Sequence, residues 1–187
     1  MRIGIYGSAK GKFSDELERK ARDVGIWLAI MNNENDIQLV TGACPGLPDL
    51  VARAAKGKDS TIYIEGYSPY KNKFEHIKAG FPADLTYTNI MYTGRGRKAR
   101  NIESIHSCDA ALFIQGRWGT INEFTIAYDD FLENQAIGIL EGTGGFADEA
   151  RRLVNLLGKE TKAQLLYNTK PELFVKRVIT GVRKYER

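Results

Sequence analysis

Apolar residues along the chain follow two alternating rhythms. Short β-rich runs recur at "RIGIYG" (2–7), "DIQLVTG" (36–42), "STIYIEG" (60–66), "ADLTYTN" (83–89), "AALFIQG" (110–116), "AIGILEG" (136–142) and "AQLLYN" (163–168), and most end in glycine. Between them, apolar positions recur at helical spacing. In the first helix Ser14 caps the start, Asp15 and Glu16 suit the positive end of the dipole, and Leu17, Ala21, Val24, Leu28 and Met31 form the inner stripe before the run closes in Asn32-Asn33-Glu34-Asn35. A second helix is predicted from Pro48 through Lys56, with Leu50, Val51, Ala54 and Ala55 inward. The segment 67–82 is the least regular and reads as an excursion over the sheet edge. After Asn101 a short helix turns Ile102 and Ile105 inward, and a last helix from about Pro171 buries Phe174, Val175, Val178, Ile179 and Val182. Strands alternating with helices predict an α/β fold: a single domain over residues 1–187, with a mainly parallel central sheet of about six or seven strands between two helical layers.

Composition leaves that picture intact. With 43% hydrophobic and 27% charged residues the usage is ordinary for a globular protein, and a chain of this length buries roughly 70% of its unfolded surface. Cys44 and Cys108 lack a paired spacing and no charged-then-apolar leader precedes the first strand, so a reducing, cytoplasmic setting is expected. No apolar run approaches the ~20 residues that span a bilayer, so no membrane partner is expected. The formal charge is +4, with much of the excess in "GRGRKAR" (94–100) and the tail "VKRVITGVRKYER" (175–187). A basic tail helix is usually a solvated face, whereas a basic loop between folded elements suits a small anionic ligand. No nucleic-acid-binding module is recognisable, so nucleic acid is not an expected partner.

Candidate chemistry lies in three glycine turns that follow strands: Gly4-Ile5-Tyr6-Gly7-Ser8, Thr41-Gly42-Ala43-Cys44-Pro45-Gly46 and Gly116-Arg117-Trp118-Gly119-Thr120. In an open parallel sheet such turns lie beyond the carboxyl ends of the strands, where main-chain N–H groups and helix dipoles receive an anion. The dinucleotide fingerprint G-x-G-x-x-G and the Walker pattern are both absent, which disfavours NAD and an ATPase loop. The two histidines, His76 and His106, have no metal-ligand spacing, so no metal is expected.

On these residues a family resemblance emerges. "QGRWGTINE" (115–123) resembles the P-G-G-x-G-T-x-x-E signature of the LOG (Lonely Guy), or lysine-decarboxylase-like, proteins of the SLOG superfamily. "RNIESIHSCDA" (100–110) is similar to the stretch that precedes the signature, with Arg100 at the arginine of the family's R-K pair, and "TGACPGLPDLVARAA" (41–55) looks like a shortened form of its second glycine loop. The resemblance implies a Rossmann-like three-layer fold, a homodimer, and a pocket for an AMP-like nucleoside monophosphate with no further cofactor. For LOG enzymes it implies phosphoribohydrolase action, which releases free base and ribose 5-phosphate; the wider superfamily also holds molybdenum-cofactor carriers and nucleotide sensors. The residues carried over are Arg100 and Glu123 as catalytic, with Gly7, Ser8, Gly42, Gly46, Gly116, Arg117, Trp118, Gly119 and Thr120 around the ligand.

Four departures bear on the ligand. Gln115 replaces the proline, Arg117 the second glycine and Asn101 the lysine, and the second glycine loop is about one residue short. The resulting R-N pair resembles the molybdenum-cofactor carrier branch. Arg117 either offers a guanidinium fork to a phosphate or second anionic group, or turns outward to a neighbouring carboxylate. Trp118 either covers the ligand or fills a dimer contact. Thr120 and Glu123 also have the spacing of a capping box, so Glu123 either caps its helix or faces the ligand. Two function classes therefore stand side by side: hydrolysis of a purine-type nucleotide, and a carrier or sensor that holds a nucleotide or pterin cofactor uncut.

Overall fold

The computed structural model describes residues 1–182; the end of the basic tail, 183–187, lies outside the described residues. The elements are β1 (Arg2–Gly7), α1 (Asp15–Asn35), β2 (Gln38–Thr41), α2 (Leu47–Lys58), β3 (Tyr63–Ser68), α3 (Lys73–Lys78) and β4 (Asn89–Tyr92), then α4 (Gly96–His106), β5 (Ala110–Ile114), α5 (Trp118–Asp130), β6 (Ala136–Leu140), α6 (Phe146–Leu157), β7 (Gln164–Asn168) and α7 (Pro171–Gly181). The seven strands form one sheet in the order β4-β3-β2-β1-β5-β6-β7, and every pairing is parallel. This is the expected Rossmann-like α/β fold.

The sheet is covered on both faces, which is why β5 and β6 read as unbroken apolar runs and are buried at every position. One core joins the sheet to α1, α2 and α7 through residues such as Leu28, Val51 and Val178; the other joins it to α4, α5 and α6 through Ile105, Phe124 and Phe146. Strand order grows outward from β1 to β4 and then restarts on the other side of β1 with β5. The turns after β1 and β5 therefore diverge to opposite faces and leave a crevice at the carboxyl ends of these strands.

Three expectations need correction. The run 83–89 is mostly a turn: Tyr87 N donates to Asp84 O, Asp84 Oδ1 accepts from Thr86 N, and the strand begins only at Asn89. Its β-favouring residues serve a turn instead, in which the neighbouring Thr86 and Tyr87 are buried beside Leu85, which is 94% exposed. The helix expected after Asn101 begins at Gly96, so most of the basic stretch is its first turn, and Ile102 faces out while Ile105 is buried. Within 67–82, Tyr67 and Ser68 complete β3, and the excursion carries the short helix α3, capped by Asn72 through Glu75 N.

The closest helix pairing in the fold rests on one missing side chain. Gly25 lies mid-helix in α1, where glycine costs about 1 kcal/mol relative to alanine. A Cβ there would stand 2.2 Å from Val51 O and 3.0 Å from the Ala54 Cβ, so the glycine lets α2 lie directly on α1. Gly25→Ala is expected to destabilise the fold by about 1–3 kcal/mol despite its better helix propensity, read as a lower denaturation midpoint in urea.

Candidate functional site

A cavity of about 270 Å³ opens at the crevice between β1 and β5. The turn after β1 contributes Ser8 and Lys10, the turn after β2 contributes Cys44 and Pro45, and the start of α5 contributes Arg117, Gly119 and Thr120. Helix α4 adds Arg97, Arg100 and Asn101, and Phe81 reaches in from the excursion after α3. The three turns expected to converge do meet here, joined by α4 and the excursion after α3.

Helix α5 begins at this cavity without a cap. Its N-cap residue, Arg117, is extended and makes no side-chain capping bond, and its first turn holds no acidic residue. Helix α1, by contrast, is capped by Ser14 and opens with Asp15, Glu16 and Glu18. The first main-chain bond of α5 runs from Ile121 N to Arg117 O at 2.9 Å, so the N–H groups of Trp118, Gly119 and Thr120 precede the helical ladder. Such an end carries a partial positive charge and favours an anion.

The turn before it is sharply bent. Gly116 has φ 108°, where a Cβ would strike Thr120 Cγ2 at 2.5 Å, and its carbonyl accepts from Phe146 N at 2.9 Å. Gln115 sits at φ 55°, with its N–H donated to Thr143 Oγ1 at 2.9 Å. The proline of the family pattern is locked near φ about −65° and has no N–H, so it fits neither feature of this turn. Gly119 is different: its φ is ordinary and a Cβ there would meet nothing within 4 Å. Protein packing does not require this glycine; its missing side chain leaves main chain open at the cavity wall.

At the floor, Arg100 and Glu123 are both buried, 6% and 8% exposed, with Nη1 of the arginine 3.6 Å from Oε1 of the glutamate. Gly42 makes room for the guanidinium, since a Cβ at that position would stand 2.3 Å from Nη1. Nε and Nη1 of Arg100 have no hydrogen-bond partner in the protein. A buried donor without an acceptor is costly, and a buried charge more so. Burial lifts the Glu123 carboxyl from its ordinary 4.5 to about 7, with Arg100 pulling the other way. With its amide nitrogen turned to the carboxylate, Asn101 donates to Glu123 Oε1 at 3.2 Å and to Arg97 O at 2.9 Å. Burial also pushes the Cys44 thiol up to about 11, so it lines the cavity as a neutral group.

Other expected residues are placed differently. Thr120 and Glu123 form no capping box, because the helix starts earlier, at Trp118, and Glu123 lies in its second turn. Trp118 is 85% exposed and does not line the cavity. Gly42, Gly46 and Gly116 shape the turns from behind the cavity lining, whereas Gly7 and Ser8 border it. Arg117 donates to Lys10 O at 2.8 Å, across the mouth, rather than to a carboxylate. Phe81 was not anticipated as a site residue. It packs edge-on against Tyr70 and His76, and His76 pins the excursion by donating from Nε2 to Pro82 O at 2.8 Å, with Nδ1 2.9 Å from Ser68 Oγ. Only the "FEHIKAGFP" string hinted at this anchor. Both cysteines are free, and among the described residues no group of three or more His, Cys, Asp or Glu stands ready to hold a metal. No described helix is long and apolar enough to cross a membrane.

An all-parallel Rossmann-like sheet with a cavity where strand order reverses defines the architectural class to which this protein belongs. Residues 1–175 match the SLOG cluster4 family, and the chain belongs to that family. A protein of Archaeoglobus fulgidus is 30% identical over 129 residues, which span 68% of this chain and 73% of that one. In solved structures, the fold resembles the molybdenum cofactor binding protein from the phototrophic bacterium Rippkaea orientalis, with a TM-score of 0.73 and 19% identity over 97% of each chain. It also resembles the molybdenum cofactor carrier protein from Chlamydomonas reinhardtii, with a TM-score of 0.71 and 17% identity over 96% of this chain and 98% of that one. At such identity the likeness to the two structures concerns the fold.

The raised Glu123 carboxyl ties stability to pH. Between about 4.5 and about 7 the folded state holds a proton that the unfolded chain has released, so stability falls as pH rises through this window and levels off above it. The total change is on the order of 1–3 kcal/mol. Melting temperatures measured from pH 4.5 to 8 should decline across the window, and Glu123→Gln should flatten that decline.

Proposed function

We propose that the protein binds a nucleoside 5′-monophosphate or closely related phosphorylated ligand and hydrolyses its N-glycosidic bond. The observation that carries this reading is the Arg100 guanidinium, buried with Nε and Nη1 unpartnered, beside a carboxyl that titrates near 7. A guanidinium with two nitrogens free of hydrogen bonds and an uncapped helix start supply what a phosphate needs, while Pro45 and Phe81 provide an apolar wall suited to a flat base.

In the proposed chemistry the phosphate is held by the first-turn amides of α5 and the ligand is oriented by Arg100. As the bond from C1′ to the base nitrogen breaks, the Glu123 carboxylate stabilises the positive charge developing on the ribosyl centre. Water then adds at C1′, one of its protons goes to the departing base, and ribose 5-phosphate remains. A carboxyl titrating near neutral pH is suited to exchange that proton. A homodimer belongs to the same reading: Leu156 and Leu157 at the end of α6 are exposed apolar side chains of the kind a second copy covers, as is Trp118 at the start of α5.

A second reading, a carrier that holds a phosphorylated pterin-type cofactor uncut, draws support from Asn101 and from the shared fold with two molybdenum-cofactor proteins. Incubation with a panel of nucleoside monophosphates, with detection of free base and ribose 5-phosphate, separates the two. Turnover is expected, reduced about 10²–10⁴-fold in Glu123→Gln. Binding of a ligand with no release of base favours the carrier. Gly119→Ala should leave the melting temperature unchanged or slightly raised, since alanine is the better helix former by about 0.5–1 kcal/mol, while weakening ligand binding because its methyl group enters the cavity.

A further inference from the structure

The cations around this cavity exceed what a single phosphate group requires, and they are not neutralised by the protein. Elsewhere most of the described arginines meet carboxylates: Arg53 pairs with Asp49 and Asp84, Arg95 with Glu103, Arg151 with Glu141 and Arg152 with Glu149. At the cavity mouth Lys10, Arg97 and Arg117 stand together, and among the described residues none of the three forms an ion pair. Among the described residues the only acid in the lining is Glu123, which already faces Arg100 and whose carboxyl burial pushes up to about 7.

Helix α4 brings further positive charge to this mouth through the side chain of Arg97. Helix α4 also lacks a side-chain cap and carries no acid in its first turn; Arg97 and Lys98 occupy that turn instead. Placing cations at the positive end of a helix dipole is unfavourable by a few tenths to about 1 kcal/mol each unless an anion lies nearby. Helix α5 repeats the pattern with Arg117 at its N-cap. Arg117 is bonded to Lys10 O, which ties the turn after β1 to the start of α5 and keeps both cations beside the opening. The unpartnered Arg100 nitrogens on the floor of the same cavity are an independent sign that an anionic ligand belongs there.

From this charge distribution we infer that the cavity has a second anionic seat and takes a phosphoanhydride nucleotide more tightly than a monophosphate: one group at the α5 start above Arg100, the other at the mouth against Lys10, Arg97 and Arg117. The inference rests on the phosphate site proposed above and adds diphosphate-bearing ligands to its range as the tighter binders. A monophosphate fills the inner seat and leaves the outer one to water.

Calorimetric titration of the full-length chain with inorganic phosphate, pyrophosphate, AMP and ADP tests it. ADP is expected to bind about tenfold or more tightly than AMP, and pyrophosphate likewise more tightly than phosphate, because a charge-assisted bidentate contact is gained. The ADP-to-AMP ratio should fall towards one in the Arg97→Gln/Arg117→Gln double variant, whose two exposed positions leave the fold intact by melting temperature. Arg177, on α7 and also without an ion pair among the described residues, is the control: Arg177→Gln should keep the ratio. AMP binding as tightly as ADP, or a ratio lowered equally by Arg177→Gln, overturns the second seat and leaves the phosphate reading standing. Absence of binding by all four ligands overturns the phosphate reading itself, and the second seat with it.

Discussion

A buried guanidinium beside a buried carboxyl sets the terms for the rest of this molecule. Arg100 and Glu123 sit 3.6 Å apart, too far for a tight ion pair, so each is only partly compensated. Two nitrogens of the arginine have no acceptor, and the carboxyl answers its desolvation by holding a proton up to near-neutral pH. An arrangement of this kind lowers stability by itself, because buried donors and charges pay for their lost hydration. It persists because the surrounding fold over-determines it. Gly42 vacates the space that the guanidinium occupies, Asn101 holds the carboxylate from the side, and both helices concerned are anchored in the same apolar core.

The strand order explains why these groups meet. Arg100 rides on the helix that enters β5, Glu123 on the helix that leaves it, and the turns after β1 and β2 close the remaining sides. Rigid parallel strands fix where each turn begins, so small turn features, such as the left-handed Gln115 and Gly116, decide where the main-chain donors point. The excursion after β3 completes the cavity with Phe81, and its position depends on a buried histidine whose two ring nitrogens are both engaged. Burial lowers the His76 pKa, which fits a neutral imidazole serving as an internal strut.

Much of this was legible in the chain. Ser14 capping α1, the apolar stripe from Leu17 to Leu28 and the continuous runs of β5 and β6 carry their own physical signatures, because caps and burial act within a few residues. The glycine turns were legible for the same reason. The strand at 83–89 misled because β-favouring residues such as Thr86 and Tyr87 also serve a turn that buries them, and Ile102 misled because the start of α4 was placed too late and its face rotated with it. The capping box misled because spacing alone does not say which residue is the first of the helix.

Sequence by itself determined the α/β alternation, the parallel sheet and the cluster of glycine turns with Arg100 and Glu123 at family-like positions, since these depend on local periodicity and backbone conformation. Only the tertiary structure decided that the two charged residues face each other, that Arg100 lacks partners, that Trp118 points away from the cavity and that Phe81 enters it. The physical reason is that desolvation and charge pairing depend on which elements the sheet brings side by side, and no local window of the chain contains that information.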